Sequence, residues 1–359
     1  MSALPQFASG CDDVAVVLLG TGVVGGALLK LFATPAALGV RLVGVANSTR
    51  QIVDAEGLVA ERAWSTLSRA EPVRDDEVLL AALDTSGAAR RAIVDATASH
   101  ETAIRHADWV ARGYDVVTAN KAAAAAPTQA WRALRTSARG ASYGDAATVG
   151  AGLPVLATLR RLHACGDALI ALEGVFSGSL SWLFNTYDGS RPFSALLREA
   201  HAFGYTEPDP RADLSGADVV RKLVILARAA GHSIDANDVD VEGLIPTWLR
   251  GVDAATFLAN AEVLDAGIEA RRAEAAANGC VLRHVASLDE HGRARVGLVA
   301  VRPEHPAARL SGTDNLFALT TERYRSRPLV IQGPGAGAEV TAQALLGDVL
   351  ALKAARDAA

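Results

Sequence analysis

Residues 14–32, VAVVLLGTGVVGGALLKLF, decide the fold. An unbroken apolar run predicts a buried strand over residues 14–20, and the pattern that follows predicts a helix over about 23–32. Between them Gly20, Gly22 and Gly25 form G-x-G-x-x-G. In that position the glycines allow a tight turn, close approach of a pyrophosphate and close packing of helix on strand, and the helix start offers free N–H groups. The alternative is a tight turn without a ligand.

The rest of the first 140 residues repeats this alternation. Short β-branched runs at 40–47, 92–98 and 114–120 predict three more strands, with helical patterns between and after them. Such alternation indicates an α/β fold of the Rossmann type, a doubly wound parallel sheet.

The rhythm changes after residues 149–154, VGAGLP, where helical patterns mix with strands in the manner of a second, α+β domain. A late strand and glycine turn at 328–337 leads into a last helix. We therefore predict a nucleotide-binding domain at 1–145, a second domain at 146–327, and a strand and helix at 328–359 that return to the first domain.

Composition and the absence of certain motifs argue against several classes of protein. Half of the 359 residues are hydrophobic, which is typical of a globular protein, and the net charge of −5 argues against a broad nucleic-acid-binding face. We see no signal peptide and no transmembrane run. Cys11, Cys165 and Cys280 have no CxxC spacing, so neither a disulfide framework nor a zinc site is expected. These features predict a cytoplasmic protein.

The end of the second strand bears on the choice of cofactor. A site specific for NAD usually carries an acid there, for the ribose 2′-hydroxyl. This chain instead has Asn47, Ser48, Thr49 and Arg50, which suit the 2′-phosphate of NADP. NAD stays possible, because Ser48 could cap a turn and Arg50 could be solvated.

Two later strands also end in polar residues, Thr97 in DATAS and Lys121 in TANK. In an open parallel sheet ligands bind outside the carboxyl ends of the strands. Both residues are therefore expected to face the nicotinamide and the substrate, although Lys121 could be an ordinary surface lysine.

Residues 204–223, GYTEPDPRADLSGADVVRKL, combine a loop rich in acids with a helix predicted at about 215–229. At 3.6 residues per turn its apolar side chains share one face, Arg221 and Arg228 lie opposite on the solvent side, and Asp218 and Lys222 flank the apolar stripe. The simple alternative is a helix ion pair between Asp218 and Lys222, worth about 0.3–0.5 kcal/mol.

That alternative does not explain Glu207, Asp209 and Asp213 in the loop, although Asp213 could cap the helix. Carboxylates beside a dinucleotide site would hold the ammonium group of a small zwitterion. Lys222 could give a proton to the oxygen that gains charge when a hydride reaches a carbonyl.

With these motifs the chain resembles homoserine dehydrogenase, both the stand-alone form and the dehydrogenase half of the fused aspartate kinase–homoserine dehydrogenases. The resemblance runs in family order from about residue 14 to 350, with no kinase region before it and no regulatory domain expected after it. It rests on GTGVVG, VANS, VVTANK, VGAGLP, SGSLSWLFN, GYTEPDPRADLSGADVVRKLVILAR and GPGAGAEVTA.

The resemblance implies the NAD(P)-dependent interconversion of L-aspartate 4-semialdehyde and L-homoserine, on the route to threonine and methionine. It also implies a homodimer built on the second domain. Two alternatives stay open: an amino-acid dehydrogenase with another substrate, and a catalytically silent nucleotide-binding paralogue.

Site residues follow from the same resemblance. Lys222 matches the proton donor, and Lys121 would orient the carbonyl beside the nicotinamide. Substrate-side positions match Gly204, Glu207 and Asp218, and Ser179 would add a donor at a helix start. For the cofactor, the resemblance adds Thr21, Val23, Val24 and Gly337 and supports Thr97 and Lys121. Together with the residues named above, the cofactor positions are Gly20, Thr21, Gly22, Val23, Val24, Gly25, Asn47, Arg50, Thr97, Lys121 and Gly337.

One departure concerns a cation. In the family an acid three residues before the valine of VGAGLP helps to bind sodium or potassium, together with backbone carbonyls that match Val149, Ala151 and Leu153. Here that position is Ala146, and the nearest acid is Asp145. Asp145 could substitute, since hard cations accept oxygen ligands from any source; otherwise the cation site is weak or absent.

Overall fold

Strand β1 (Val14–Leu19) is apolar throughout because both of its faces are buried. Val14, Val16 and Leu18 belong to one hydrophobic core, and the alternate residues between them belong to another on the opposite side of the sheet. A two-residue period of side-chain direction requires this whenever layers cover both faces of a sheet. The structure, a computed structural model, describes residues 14–136 and 140–354.

β1 lies inside a six-stranded sheet with the order β3-β2-β1-β4-β5-β6. All neighbours are parallel except β3, an antiparallel edge strand beside β2. The predicted doubly wound parallel sheet is confirmed. Its other strands are β2 (Val40–Ala46), β3 (Gln51–Val53), β4 (Arg90–Asp95), β5 (Asp115–Thr118) and β6 (Tyr143–Gly144).

Helices cover this sheet on both sides. Helix α1 packs with the C-terminal helix α15 over one core, and helices α3 and α5 supply residues to the other core. The helices of this part are α1 (Val23–Phe32), α2 (Ala60–Arg69), α3 (Asp76–Thr85), α4 (His100–Ile104), α5 (His106–Ala111), α6 (Lys121–Ala124), α7 (Thr128–Thr136) and α15 (Ala338–Ala354).

A second six-stranded sheet has the order β12-β11-β7-β9-β10-β8 and is antiparallel except for the β8–β10 pair. Its strands are β7 (Leu169–Val175), β8 (Val239–Val241), β9 (Val281–Leu288), β10 (Ala294–Val301), β11 (Asp314–Thr321) and β12 (Leu329–Pro334). The helices that accompany it are α8 (Val155–Ala164), α9 (Gly178–Thr186), α10 (Phe193–Ala202), α11 (Arg211–Leu214), α12 (Ala217–Ala229), α13 (Ala254–Ala259) and α14 (Asp265–Ala277).

The chain divides into two compact units. The first runs to Gly152 and resumes at Gly337, and the second is Leu153–Ala336. The predicted return of the C-terminal segment therefore needs a correction: helix α15 belongs to the first unit, but strand β12 lies in the second sheet. β12 follows β11 after a short connection, and short connections favour antiparallel neighbours.

Within the described ranges, no helix combines the length and the apolar character needed to cross a membrane.

Candidate functional site

The glycine turn between β1 and α1 has the geometry that its sequence predicts. Gly20 adopts φ +94°, a conformation that favours glycine, and a Cβ on Gly25 would lie 1.9 Å from the carbonyl oxygen of Gly20. Gly22 is different: it is exposed at the N-cap of α1, and a Cβ there would meet nothing within 4 Å. Gly20 and Gly25 are therefore needed by the turn itself, whereas Gly22 leaves its space open to a ligand.

Thr97 lies directly against this turn. A Cβ on Gly20 would come within 2.8 Å of the Thr97 methyl group. Lys121 is the first residue of α6, where the Asn120 side chain accepts a hydrogen bond from the Ala122 N–H at 3.1 Å. Both predicted residues thus follow parallel strands, β4 and β5, at the same edge of the sheet as the glycine turn.

The residues after β2 form a capped turn. The Asn47 side-chain oxygen accepts hydrogen bonds from the N–H groups of Thr49 and Arg50, at 2.9 and 2.8 Å. The Arg50 guanidinium donates to the carbonyl of Ala70 and is half-buried. Arg50 is therefore held in place at the strand end and is not simply solvated.

Lys222 is buried and held by two contacts in the second unit. Its side chain is 11% exposed, its Nζ donates to the carbonyl of Phe176 at 2.7 Å, and the Asp218 Oδ2 lies 2.9 Å away. Arg221 reaches the other oxygen of Asp218 from the exposed side, at 3.2 Å. An ammonium buried between two close acceptors is held in one position, whereas an exposed helix pair restrains its side chains only weakly.

Asp213 connects the acidic loop to the start of helix α9. Its carboxylate accepts from the Ser179 hydroxyl at 2.6 Å and from the Glu207 N–H at 2.9 Å. The Ser177 hydroxyl lies 2.9 Å from that of Ser179. Because Phe176 directly precedes Ser177, this second cluster and Lys222 meet on the same short segment, residues 176–179. The sequence suggested only a cap for Asp213 and gave no signal for the Phe176 carbonyl.

Two other residues of the loop have structural roles. Gly204 adopts φ +70° just after α10, where its N–H bonds to the carbonyl of His201, so glycine is favoured there by the helix end. Asp209 pairs with Arg211 at 2.6 Å, and this guanidinium holds the pKa of Asp209 below its usual range. Glu207 has an exposed side chain, open to a ligand.

Helix α12 departs from its prediction in two respects. It begins at Ala217 and not at 215, because Gly216, at φ +72°, separates it from α11. Arg228 was expected on the solvent side, but it is 5% exposed, bonds to Asp235 at 2.7 Å, and has its pKa lowered by burial. Nine consecutive residues, 222–230, are buried, so both faces of the helix pack against protein.

The predicted cation segment has an unusual backbone. Gly150 and Ala151 adopt φ +75° and +52°, and Ala151 is the one non-glycine residue at positive φ among those described. Val149 is fully buried, and Asp145 is 3% exposed, just before the turn at Ala146–Thr148. Leu153 begins the second unit. No group of three His, Cys, Asp or Glu side chains in the described ranges could hold a metal ion.

The predicted residues thus form two groups. The first unit holds the glycine turn with Thr21, Val23 and Val24, the capped turn at Asn47, Thr97, Lys121 and Gly337, which adopts φ +132° before α15. The second holds Ser179, Gly204, Glu207, Asp218 and Lys222.

Each of the two units matches a known protein-family model. The sequence model described as homoserine dehydrogenase matches residues 154–350, and the one described as its NAD binding domain matches residues 20–143. The chain belongs to the homoserine dehydrogenase family. The predicted family is therefore confirmed, and the glycine turn and the Lys222 cluster lie within its two matched domains.

Individual members of the family differ in length. Bifunctional aspartokinase/homoserine dehydrogenase 2 of Escherichia coli is 41% identical over 345 residues, covering 94% of this chain and 43% of the relative. Homoserine dehydrogenase of Paracoccidioides brasiliensis is 39% identical over 285 residues, 76% of each chain. The chain thus spans less than half of the bifunctional relative.

Among solved structures, a Candida auris protein of unknown function has a TM-score of 0.88 at 33% identity, covering 95% of this chain and 97% of its own. The fold of this chain is therefore similar to that of a protein solved by crystallography.

Proposed function

We propose that the protein catalyses the NAD(P)-dependent interconversion of L-homoserine and L-aspartate 4-semialdehyde. The single observation that carries the proposal is the buried Lys222 ammonium, held between the Phe176 carbonyl and Asp218. Such a group is a fixed proton donor in a protein whose other unit has a dinucleotide turn.

The bound cofactor would supply the hydride that C4 of the semialdehyde receives. The oxygen at C4 then gains negative charge, and Lys222 gives it a proton, directly or through water. In the reverse direction Lys222 takes the hydroxyl proton. Lys121, at the start of α6, would orient the carbonyl and stabilise its developing charge.

The α-ammonium end of the substrate needs acceptor groups, unlike the C4 oxygen, which needs a proton donor. We propose that Glu207 and Asp218 hold the α-ammonium, and that Ser179 donates to the substrate from the start of α9. Asp213 supports this role indirectly, because it bonds to both Ser179 and the Glu207 backbone and so fixes the loop relative to the helix.

For the cofactor we propose NADP in preference to NAD, with Arg50 at the ribose. The turn after β2 carries no acid at the position where an NAD site usually has one. Arg50 is held at that turn by its bond to Ala70, so its charge is placed before the cofactor arrives.

We also propose a monovalent cation at the carbonyls of Val149, Ala151 and Leu153, with Asp145 as the acid. The left-handed conformation of Ala151 and the burial of Asp145 support it. A homodimer and a cytoplasmic location, expected from the sequence, remain predictions.

A substitution of Lys222 tests the proposal. Lys222→Met keeps the length of the side chain and removes the proton donor, so kcat should fall by at least about 100-fold. Arg221→Met is the matched control, because it removes a neighbouring cation that contacts the same carboxylate, and it should stay within about 3-fold of the wild type. A folded Lys222→Met protein with wild-type kcat would refute the assignment.

A further inference from the structure

A buried carboxylate that the proposed reaction does not use lies beneath the predicted nicotinamide-side residues. Asp95 is the last residue of β4 and is fully buried. Its Oδ1 accepts from the Thr97 N–H at 2.8 Å, and its Oδ2 accepts from the Asn120 amide at 3.1 Å. The His106 Nε2 lies 3.0 Å from the same Oδ2.

These contacts join the two loops that carry Thr97 and Lys121. The Asn120 amide also donates to the carbonyl of Ser99 at 2.8 Å, while its oxygen caps α6 at Ala122. One carboxylate therefore fixes the backbone after β4 and, through Asn120, the start of the helix whose first residue is Lys121. Thr97 in turn packs against Gly20.

His106 contacts the Asp95 carboxylate, and Tyr143 contacts His106. Because a carboxylate only accepts hydrogen bonds, the His106 Nε2 carries a proton toward Asp95, and the His106 Nδ1 lies 3.0 Å from the Tyr143 hydroxyl. His106 is fully buried and lies in contact with the rings of Trp109 and Tyr143. The orientation of Asp95 is thus set by a chain of side chains from α5 and β6.

A buried, hydrogen-bonded carboxylate is by itself weak evidence for a contribution to stability. An apolar group of the same volume often serves a core equally well or better, whereas a hydrogen-bonded buried charge fixes geometry. Here the geometry that it fixes is that of two loops that end neighbouring strands at the ligand edge of the sheet.

We propose that Asp95 is a positioning residue for hydride transfer, and that His106 and Tyr143 orient it. Asp95 touches neither substrate nor cofactor; it sets the distance between the Thr97 loop and Lys121. This inference rests on the proposed function, since it assumes that these two residues meet the nicotinamide and the carbonyl.

The test compares His106→Leu with His106→Gln, a pair in which neither side chain reaches a ligand. Glutamine retains an N–H donor for Asp95 and should keep kcat within about 3-fold of the wild type, while leucine should lower kcat at least about 10-fold. The isotope effect with homoserine deuterated at C4 should rise in the leucine variant, because hydride transfer becomes rate-limiting. The NADPH dissociation constant, from fluorescence titration without substrate, should change by a smaller factor than kcat, since the glycine turn itself is intact.

A purely structural role gives a different result. It predicts that the leucine variant loses melting temperature but keeps the wild-type kcat and isotope effect per folded molecule, and that result would overturn the proposal. If His106→Leu does not fold, Asp95→Asn replaces it, because the amide keeps the shape and puts a donor against at least one of the three donors. Wild-type turnover of homoserine is measured first; its absence refutes the proposed function, whereas unchanged variants of an active wild type refute only this inference.

Discussion

At the residue scale the proposed proton donor, Lys222, must tolerate burial. Moving an ammonium out of water costs on the order of several kcal/mol, and only close acceptors offset that cost. Phe176 and Asp218 are such acceptors, at 2.7 and 2.9 Å. A charge kept in this way can be a proton donor in a fixed position, which a lysine in solvent cannot be.

Arg50 gives a prediction about the choice of cofactor. If its guanidinium binds the 2′-phosphate, Arg50→Ala should raise KM for NADP+ at least about 10-fold, because a charge-assisted hydrogen bond is lost. KM for NAD+ should change less than about 2-fold. Steady-state kinetics with both cofactors measure this, and equal effects on the two would place Arg50 away from the phosphate.

His284 gives a prediction about pH. It is 2% exposed on β9, and burial lowers its pKa from 6.5 to about 4. The unfolded chain therefore binds more protons between these values, so stability is complete above pH 6.5 and is lost as the pH falls towards 4. At pH 5 the loss from this group is about 2 kcal/mol relative to neutral pH.

His284→Leu should remove that part of the pH dependence while keeping an apolar contact with Phe184. Denaturant unfolding at pH 8 and pH 5 measures the difference between variant and wild type. If the two proteins lose the same free energy of unfolding over this interval, His284 titrates normally in the folded state.

At the element scale, different glycines of the turn between β1 and α1 serve folding and cofactor binding. Gly25→Ala would place its methyl group against the Gly20 carbonyl and should destabilise the fold by at least about 2 kcal/mol. Gly22→Ala meets no protein atom and should cost at most about 1 kcal/mol as a change of N-cap.

The effects on NADPH binding by the folded proteins should have the opposite order, with the larger effect in Gly22→Ala. Gly22→Ala should weaken NADPH binding at least about 10-fold, because its methyl group fills the approach of the pyrophosphate. Denaturant unfolding and NADPH fluorescence titration measure the two effects. A Gly22→Ala variant with wild-type affinity would show that the cofactor does not cross this turn.

The same scale shows what the sequence could and could not predict. The strand and helix around the glycine turn, and the helix that carries Lys222, follow from local patterns that burial on one or both faces imposes. The position of β12 in the second sheet, the burial of Arg228 and the Phe176 carbonyl beside Lys222 depend on partners distant in the chain. The hydrophobic periodicity of one helix or strand cannot identify which distant residues pack against its polar side.

At the scale of the whole molecule the chain crosses between its two units twice, at 152–153 and at 336–337. Helix α15 completes the core of the first unit with Ala342, Leu345 and Val349, all of them fully buried. The first unit therefore needs residues from both ends of the described chain, so measurements of function should use the whole chain.

The most direct test of the proposed function is the rate at which the purified protein reduces NADP+ when L-homoserine is added. Homoserine-dependent formation of NADPH is expected, and it should depend on Lys222 and be absent with alcohols that lack the α-ammonium group. If the protein binds NADPH but forms product from homoserine no faster than Lys222→Met does, with either cofactor, the proposed function is contradicted.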